Sequence, residues 1–154
     1  MEAWRVLALG DARFVGTRKG IVYVGCSRTA RIVYVGQTAG GDGVLGRWSH
    51  HLSASRSSFW RRVEERGECD PEAIDDLVVF AAELGPEPHW NGVESSHREA
   101  VEYLVQVGLH SLSGDLDPFL RVISHVRANT TCALSFVRTR AHEVIHEFVA
   151  WYSV

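Results

Sequence analysis

One five-residue string, IVYVG, occurs twice in this chain, at Ile21–Gly25 and again at Ile32–Gly36. Valine, isoleucine and tyrosine favour β-strands, and the short connection between the two copies, SRTA, has the length of a hairpin loop. The repeat therefore predicts two adjacent antiparallel strands. Tyr23 and Tyr34 occupy the same place in the two strings, eleven residues apart, so both tyrosines are expected on this β-hairpin.

Further strand and helix patterns surround the hairpin. Apolar runs predict strands at 4–10, 75–84 and 132–137, with a short buried helix as the alternative at 75–84. Helical patterns cover 44–54, 57–67, 95–108, 118–127 and 139–154. Ser96 followed by Glu99 forms a capping box that is typical of a helix start. This order of elements predicts an α/β fold, in which a small central antiparallel β-sheet containing the β-hairpin is flanked by helices and followed by a C-terminal helical extension.

The size and cysteine usage of the chain indicate a single domain in a reducing compartment. Its 154 residues suffice for one hydrophobic core, so we expect one domain over 1–154. Cys26, Cys69 and Cys132 have no paired spacing, which favours reduced thiols. Neither a charged-then-apolar leader nor an apolar run of the ~20 residues of a membrane span is found. We expect a cytoplasmic protein that makes no membrane contact.

The charge of the chain limits how it could bind nucleic acid. A formal net charge of −3 excludes a uniformly positive surface. Arginine supplies nearly all of the positive charge, since Lys19 is the only lysine, and arginine binds phosphate through two parallel hydrogen bonds. Nucleic-acid binding would therefore need the arginines to be gathered on one face.

A glycine-rich loop, Ala39–Gly43, follows the hairpin and precedes a helix. A phosphate-binding loop requires Lys-Ser/Thr after its glycines, or a Gly-x-Gly-x-x-Gly frame between parallel strands. The string GGDGVLGRW has neither, which excludes a nucleotide pocket of these kinds. Arg47 and His51 are four residues apart on the helix that follows, so they project from one helical face.

The ordered combination of these residues resembles the GIY-YIG nuclease family. GIVYVG (Gly20–Gly25) and YVG (Tyr34–Gly36) correspond to the two halves of the family's hairpin motif. RWSHH (Arg47–His51) corresponds to the motif on its helix, and Glu102 in VEYLV corresponds to its metal-binding glutamate. The resemblance covers about residues 20–107, which it implies form a catalytic core. Residues 108–154 are then a C-terminal extension of unknown role.

The resemblance implies a metal-dependent endonuclease that hydrolyses phosphodiester bonds in nucleic acid, DNA ahead of RNA, with Mg²⁺ or Mn²⁺ as cofactor. By the family pattern, Tyr23 would activate water and Tyr34 would position the water or the phosphate. Arg47 would clamp the phosphate, His51 would assist proton transfer and Glu102 would hold the metal. Phosphodiester hydrolysis needs these functions, because water must be activated and negative charge stabilised as the leaving oxygen departs.

Two departures from the family pattern leave an alternative function open. Ile21 stands where the motif has glycine, and a GIV register would put Val22 in place of the first tyrosine. The asparagine that often follows the glutamate is missing from GLHSLSGDLDP, and Asn129 is a distant substitute. The alternative is a catalytically inactive module of the same fold that binds nucleic acid or another protein.

Helical geometry favours Glu102 over Glu99 as the metal ligand. At about 100° per residue, Val101, Leu104 and Val105 belong to one buried stripe of the helix. Glu102 lies on the flank of this stripe, where it can face a cleft, whereas Glu99 lies nearly opposite the stripe and belongs to the predicted cap.

Four arginines near the string SSFW could form a basic track for a nucleic-acid backbone, or could be ordinary solvated residues. They are Arg56, Arg61, Arg62 and Arg66. Nucleic acid is thus the expected partner. Cleavage of both strands of a duplex by a chain with one site would require a homodimer or two sequential nicks.

A second motif near the C-terminus indicates a different class of enzyme. HEVIH places His142 and His146 one helical turn apart with Glu143 between them, as in zinc hydrolases. Such a site needs a third protein ligand, and His125 or Cys132 are the upstream candidates. The competing interpretation is an amphipathic C-terminal helix whose apolar side chains pack on the domain. These side chains are Val144, Ile145, Phe148 and Trp151.

Overall fold

The computed structural model describes residues 5–9, 19–53, 57–70 and 74–154. The strands are β1 (Arg5–Leu9), β2 (Ile21–Ser27), β3 (Ile32–Thr38), β4 (Val78–Glu83) and β5 (Arg121–Val122). The α-helices are α1 (Gly43–Ser53), α2 (Ser58–Arg62), α3 (Pro88–Asn91), α4 (Ser96–Leu116) and α5 (Ser135–Tyr152). A π-helical turn, Val63–Gly67, continues α2, and a 3₁₀ turn, Thr130–Ala133, precedes α5. The chain is α/β, as expected.

The described strands form one mixed sheet in the order β1-β4-β2-β3-β5. The central strands β4, β2 and β3 are antiparallel, but β1 runs parallel to β4 and β5 runs parallel to β3. The prediction of an antiparallel sheet is therefore correct for the hairpin region and wrong at both edges. The edge pairings join segments that are distant in sequence, which the local hairpin pattern does not specify.

Helices cover both faces of the sheet, so the strands alternate between two hydrophobic clusters. Val22 and Val24 point to the cluster that α4 and α5 cover. Ile21 and Tyr23 point to the opposite cluster, which α1 and α2 cover. Because side chains in a strand alternate between faces, the nearly continuous burial of β2 reflects a strand that is covered on both sides.

The C-terminal helix completes one of these clusters. Val144 and Phe148 of α5 are buried against the sheet and α4, and Ile145 and Trp151 pack partly buried against the same cluster. The predicted amphipathic packing of this helix is confirmed. Its start is earlier than expected, at Ser135.

Two further predictions in the last third of the chain are wrong. The expected helix at 118–127 contains β5 instead, because the Arg121 and Ile123 amides donate at 2.9 Å to the carbonyls of Arg31, just before β3, and of Val33 in β3. The expected strand at 132–137 contains a 3₁₀ turn and the first residues of α5. Short apolar runs do not by themselves distinguish a strand from a helix start.

The start of α4 differs from the predicted capping box by one residue. The N-cap is Ser95, and Ser96 is the first residue of the helix. The Ser95 hydroxyl donates to the Glu99 carboxylate at 2.5 Å, and the Glu99 amide bonds the Ser95 carbonyl. Glu99 is therefore engaged at the helix start, but with the preceding serine.

The glycine that ends the second IVYVG string is required by packing. Gly36 lies opposite Tyr23 in the hairpin, and a Cβ atom on Gly36 would overlap the Tyr23 phenol ring. Gly25 has a similar role, since a Cβ there would overlap the Trp48 indole of α1. The repeated glycines thus make room for aromatic side chains on this face of the sheet.

This packing predicts that Gly36→Ala destabilises the protein by about 1–3 kcal/mol, the usual cost of overfilling a packed core. Gly41→Ala is the matched control, because a Cβ at Gly41 meets nothing within 4 Å, and we expect it to change stability by less than about 0.5 kcal/mol. Urea denaturation of the two variants measures the difference. Equal stabilities would contradict the packing role of Gly36.

Cys26, Cys69 and Cys132 are all free thiols, as expected. Among the helices in the described ranges, none combines the length and apolar character that a membrane crossing requires.

Candidate functional site

The two tyrosines of the repeat lie on the same face of the sheet. In the β2–β3 register, Tyr23 pairs with Gly36 and Tyr34 pairs with Gly25, so the tyrosines are diagonal neighbours separated by glycines. Val22 belongs to the opposite hydrophobic cluster. Tyr23, and not Val22, is therefore the residue of β2 that faces the other predicted site residues.

Helix α1 brings His51 and Trp48 against this tyrosine pair. The Tyr23 hydroxyl and His51 Nε2 are hydrogen-bonded at 3.1 Å, and the His51 side chain is 1% exposed. The Trp48 indole packs edge-on against both phenol rings, with ring centroids 5.6 Å from Tyr23 and 6.1 Å from Tyr34. Trp48 and His51 thus form the face of α1 that packs on the hairpin, whereas Arg47 is exposed.

His51 is held as a neutral base. Burial lowers its pKa to about 4, and the nearby charges of Arg47 and His50 act in the same direction. Its Nδ1 atom is buried and has no hydrogen-bond partner within the described ranges. A neutral imidazole carries a lone pair on one ring nitrogen, so His51 Nε2 can accept the hydroxyl hydrogen of Tyr23.

Both tyrosines have raised pKa values, which favours the neutral phenol. Burial is the main cause of the raised pKa of Tyr23, and proximity to Tyr34 adds to the rise while the Arg47 guanidinium opposes it. Burial also raises the pKa of Tyr34, with Glu102 acting in the same direction. These environments favour hydroxyl groups that orient water or phosphate over phenolates that remove a proton.

Glu102 of α4 is electrostatically coupled to this group. Its side chain is half-buried, and burial together with the neighbouring Glu99 raises its pKa to about 8, against the attraction of Arg47. Glu102 in turn raises the pKa of both tyrosines. The carboxyl group, the two phenols and the guanidinium therefore lie within electrostatic range of one another.

The single carboxylate of Glu102 suits a divalent cation whose other ligands are water and the phosphates of a bound substrate. The described part of the chain contains no cluster of three or more His, Cys, Asp or Glu side chains that could form a complete metal cage. Mg²⁺ is commonly bound by one or two carboxylates, with water and substrate phosphates as the other ligands. Glu102 could supply the protein ligand of such a site.

Arg47 presents its charge at the edge of an open cleft. The side chain is exposed, and it lines a cleft of about 670 Å³ together with Gly40, Gly41 and Arg98. These glycines belong to the loop after β3, whose sequence lacks the motifs of a nucleotide-binding loop. In this position the guanidinium can bind a phosphate that enters the cleft.

Arg98 is a structural residue of this cleft that the sequence analysis missed. It is 4% exposed, and its Nε donates to Gln37 Oε1 at 3.1 Å. Its Nη1 donates to three carbonyl oxygens of the turn before α4, those of Trp90, Gly92 and Glu94. Its position four residues before Glu102, on the same helical face, is the signal that could have indicated it.

Three of the four arginines of the predicted basic track have different environments. Arg56 lies outside the described residues. Arg61 is exposed and forms a long ion pair with Glu65 at 3.9 Å. Arg62 also pairs with Glu65, at 3.7 Å, and lies close enough to lower the pKa of Tyr34. Of the two described residues, only Arg62 borders the tyrosine site.

Asn129 does not replace the asparagine missing after Glu102. Its amide nitrogen donates to the Ser96 carbonyl at 2.8 Å, and its amide oxygen accepts from the Thr131 amide at 3.0 Å. Asn129 therefore joins the 3₁₀ turn to the start of α4, which is a structural role.

The HEVIH motif lies on the exposed side of α5. His142, Glu143 and His146 are all exposed, and Glu143 forms an ion pair with Arg140 at 2.5 Å. Within the described ranges, no third ligand completes a cluster with the two histidines, and neither His125 nor Cys132 does so. An open cleft of about 720 Å³ beside this helix contains Glu143 but neither histidine.

The structure thus brings Tyr23, Tyr34, Arg47, His51 and Glu102 together from one hairpin and two helices. Comparison of the chain with models of known families, with characterised proteins and with solved structures gives no match.

Proposed function

We propose that this chain is a metal-dependent endonuclease of the GIY-YIG kind, which hydrolyses phosphodiester bonds in nucleic acid, DNA ahead of RNA. The observation that carries the proposal is that Tyr23, Tyr34, Arg47 and Glu102 lie within electrostatic range of one another. These residues come from segments far apart in sequence, and packing alone does not require phenol, guanidinium and carboxyl groups to lie in one region. The free cysteines are consistent with a cytoplasmic setting.

The proposed reaction uses the side chains in complementary positions. Arg47 binds the non-bridging oxygens of the phosphate, and the Tyr34 hydroxyl orients either this phosphate or the attacking water. Glu102 would hold Mg²⁺ or Mn²⁺, which supplies Lewis-acid stabilisation of the phosphate charge. Arg47 and a cation held by Glu102 would together stabilise the negative charge that develops during attack.

Proton transfer is assigned to Tyr23 and His51. The water oxygen forms a bond to phosphorus as the bond to the leaving oxygen breaks. The water gives its proton to the Tyr23 oxygen while Tyr23 passes its hydroxyl hydrogen to His51 Nε2, along the observed hydrogen bond. The leaving oxygen takes a proton from solvent, and His51 returns its proton through Tyr23 to solvent once the product has left, so the protons balance over one turnover. This route keeps Tyr23 neutral overall, as its raised pKa requires.

The direct test is incubation of the chain with supercoiled plasmid DNA and with labelled structured RNA, in Mg²⁺, in Mn²⁺ and in chelator. We expect strand cleavage that needs the metal, with DNA cut faster than RNA. Nicked plasmid before linear plasmid would indicate one site acting sequentially, and linear product without a nicked intermediate would indicate a homodimer. Binding without cleavage of either nucleic acid would overturn the proposal.

A catalytically inactive binding module is the second candidate. It is favoured by the absence of a replacement for the missing asparagine, since the Asn129 amide is engaged by the backbone. Such a module would bind nucleic acid equally well in Mg²⁺ and in chelator, and it would tolerate Glu102→Gln without loss of affinity.

A further inference from the structure

We propose that a second cleft, between α4 and the turn that follows α2, is a phosphate-binding subsite for the strand that is cut. The cleft has a volume of about 230 Å³ and is lined by Arg66, Gln106, Val107, His110, Val122, Ser124 and His125. The inference rests on the proposed nuclease function and assigns a path to its substrate. We call this cleft the distal cleft.

Both walls of the distal cleft continue from the candidate active site. On α4, Gln106 and His110 follow Glu102 at intervals of four residues, so the three side chains lie along one helical flank. On the opposite wall, Arg66 follows Arg62, which borders Tyr34, after about one turn. A strand bound at Glu102 and Arg62 would therefore reach this cleft next.

The distal cleft is also fixed to the active-site strand by hydrogen bonds. The Ser124 hydroxyl accepts from the amide of Val35, the residue after Tyr34, at 2.6 Å. Gln106 Oε1 accepts from the Val126 amide at 2.9 Å, which holds the segment that carries His125. Because these bonds tie the segment to β3 and α4, the cleft is positioned relative to Tyr34 and Glu102.

The chemistry of the lining suits an anion. None of the residues that line this cleft is acidic. Arg61 and Arg62 are paired with Glu65, whereas Arg66 is exposed and forms no ion pair within the described ranges. His110 and His125 are exposed, and an imidazole N–H can donate to a phosphate oxygen. In a chain with a net charge of −3, this is a local concentration of phosphate donors.

The spacing predicts how much strand the protein covers. The eight residues from Glu102 to His110 advance about 12 Å along α4 at about 1.5 Å per residue. A stacked strand advances about 3.4 Å per nucleotide, so the distal cleft would bind a phosphate about three to four nucleotides from the scissile bond. Cleavage should therefore become more efficient when the substrate is extended by that length on one side.

The test compares Arg66→Gln, and the pair His110→Gln/His125→Gln, with the charge-matched control Arg138→Gln. Arg138 is exposed on α5 and its Nε donates to the Cys132 carbonyl, away from the distal cleft. Binding of a labelled 20-nucleotide strand is measured in chelator over a range of salt concentrations. We expect Arg66→Gln to weaken binding about fivefold to tenfold and to reduce the slope of log K against log salt by about 0.7, the loss of one phosphate contact.

Cleavage of a length series separates this inference from the proposed function. On substrates with two nucleotides on each side of the cut, Arg66→Gln and the wild type should give equal kcat/KM. When the substrate is extended to five nucleotides on one side of the cut, kcat/KM should rise for the wild type and stay unchanged for Arg66→Gln. If the wild type cleaves, and Arg66→Gln binds and cleaves like Arg138→Gln, the proposed role of the distal cleft is wrong and the nuclease function stands. A wild type that cuts nothing would overturn the nuclease function, and this inference with it.

Discussion

Replacing Glu102 by glutamine is expected to reduce metal-dependent strand cleavage by about a thousandfold, since the variant loses the proposed protein ligand of the metal and several kcal/mol of charge stabilisation. The measurement is single-turnover cleavage of a labelled DNA duplex at saturating Mg²⁺. Glu99→Gln is the matched control, because Glu99 lies one turn away at the start of α4 and bonds the Ser95 hydroxyl. We expect Glu99→Gln to retain cleavage.

The same substitution should increase stability in the absence of metal. The folded-state pKa of Glu102 is about 8, against an unfolded value of 4.5. The unfolded chain therefore releases the proton more readily, and the wild type loses stability as pH rises from about 4.5 through 8. Glutamine stays neutral, so the variant should be as stable as the wild type at pH 4 and more stable by about 5 kcal/mol at pH 9, at about 1.36 kcal/mol per pKa unit.

Urea denaturation in chelator at these two pH values tests whether Glu102→Gln is more stable than the wild type at the higher pH only. Opposite effects on activity and stability are typical of a residue kept for function. A Glu102→Gln variant that is less stable at pH 9 would make Glu102 a structural residue. Loss of cleavage in Glu99→Gln together with retention in Glu102→Gln would move the metal ligand to Glu99.

Tyr23→Phe is expected to lower the cleavage rate by about 10²–10⁴-fold, the usual contribution of a positioned proton-transfer group. The substitution removes only the hydroxyl that bonds His51 Nε2 and leaves the ring that packs against Trp48. Stability should fall by about 1–2 kcal/mol, because a buried hydrogen bond is lost and the imidazole nitrogen is left without a partner. Tyr23→Phe should therefore remain folded while losing most of its cleavage activity.

Tyr103→Phe is the matched control for this experiment. Tyr103 is a half-buried tyrosine on α4, next to Glu102, and it takes no part in the tyrosine pair. It should change neither cleavage nor stability by much. If Tyr23→Phe kept the wild-type rate, water activation would have to be assigned to another group, and Tyr34→Phe would be the next variant to measure.

Sequence reasoning was most successful where the relevant interaction is local. The hairpin follows from two β-favouring strings with a short connection, and the register of such a hairpin then puts Tyr23 and Tyr34 on one face. The alignment of Arg47 with His51 needs only the period of a helix. The flank position of Glu102 also follows from that period and from the apolar stripe beside it.

Features that depend on distant segments were not predictable in this way. The parallel pairing of β5 with β3 joins residues about ninety positions apart, and nothing in the string around Arg121 indicates it. Arg98 looks like a surface charge in the sequence, but the turn before α4 surrounds it with carbonyl oxygens. The burial that makes His51 a neutral base likewise arises only when α1 docks on the sheet.

The measurement that tests the central claim most directly is the rate of Mg²⁺-dependent cleavage of one DNA hairpin by the wild type, by Glu102→Gln and by His142→Gln/His146→Gln. The exposed histidines of α5 serve as the comparison because they are the competing metal-binding motif. We predict equal rates for the wild type and the double histidine variant, and a rate about a thousandfold lower for Glu102→Gln. Loss of cleavage in the histidine variant with retention in Glu102→Gln would contradict the proposed site.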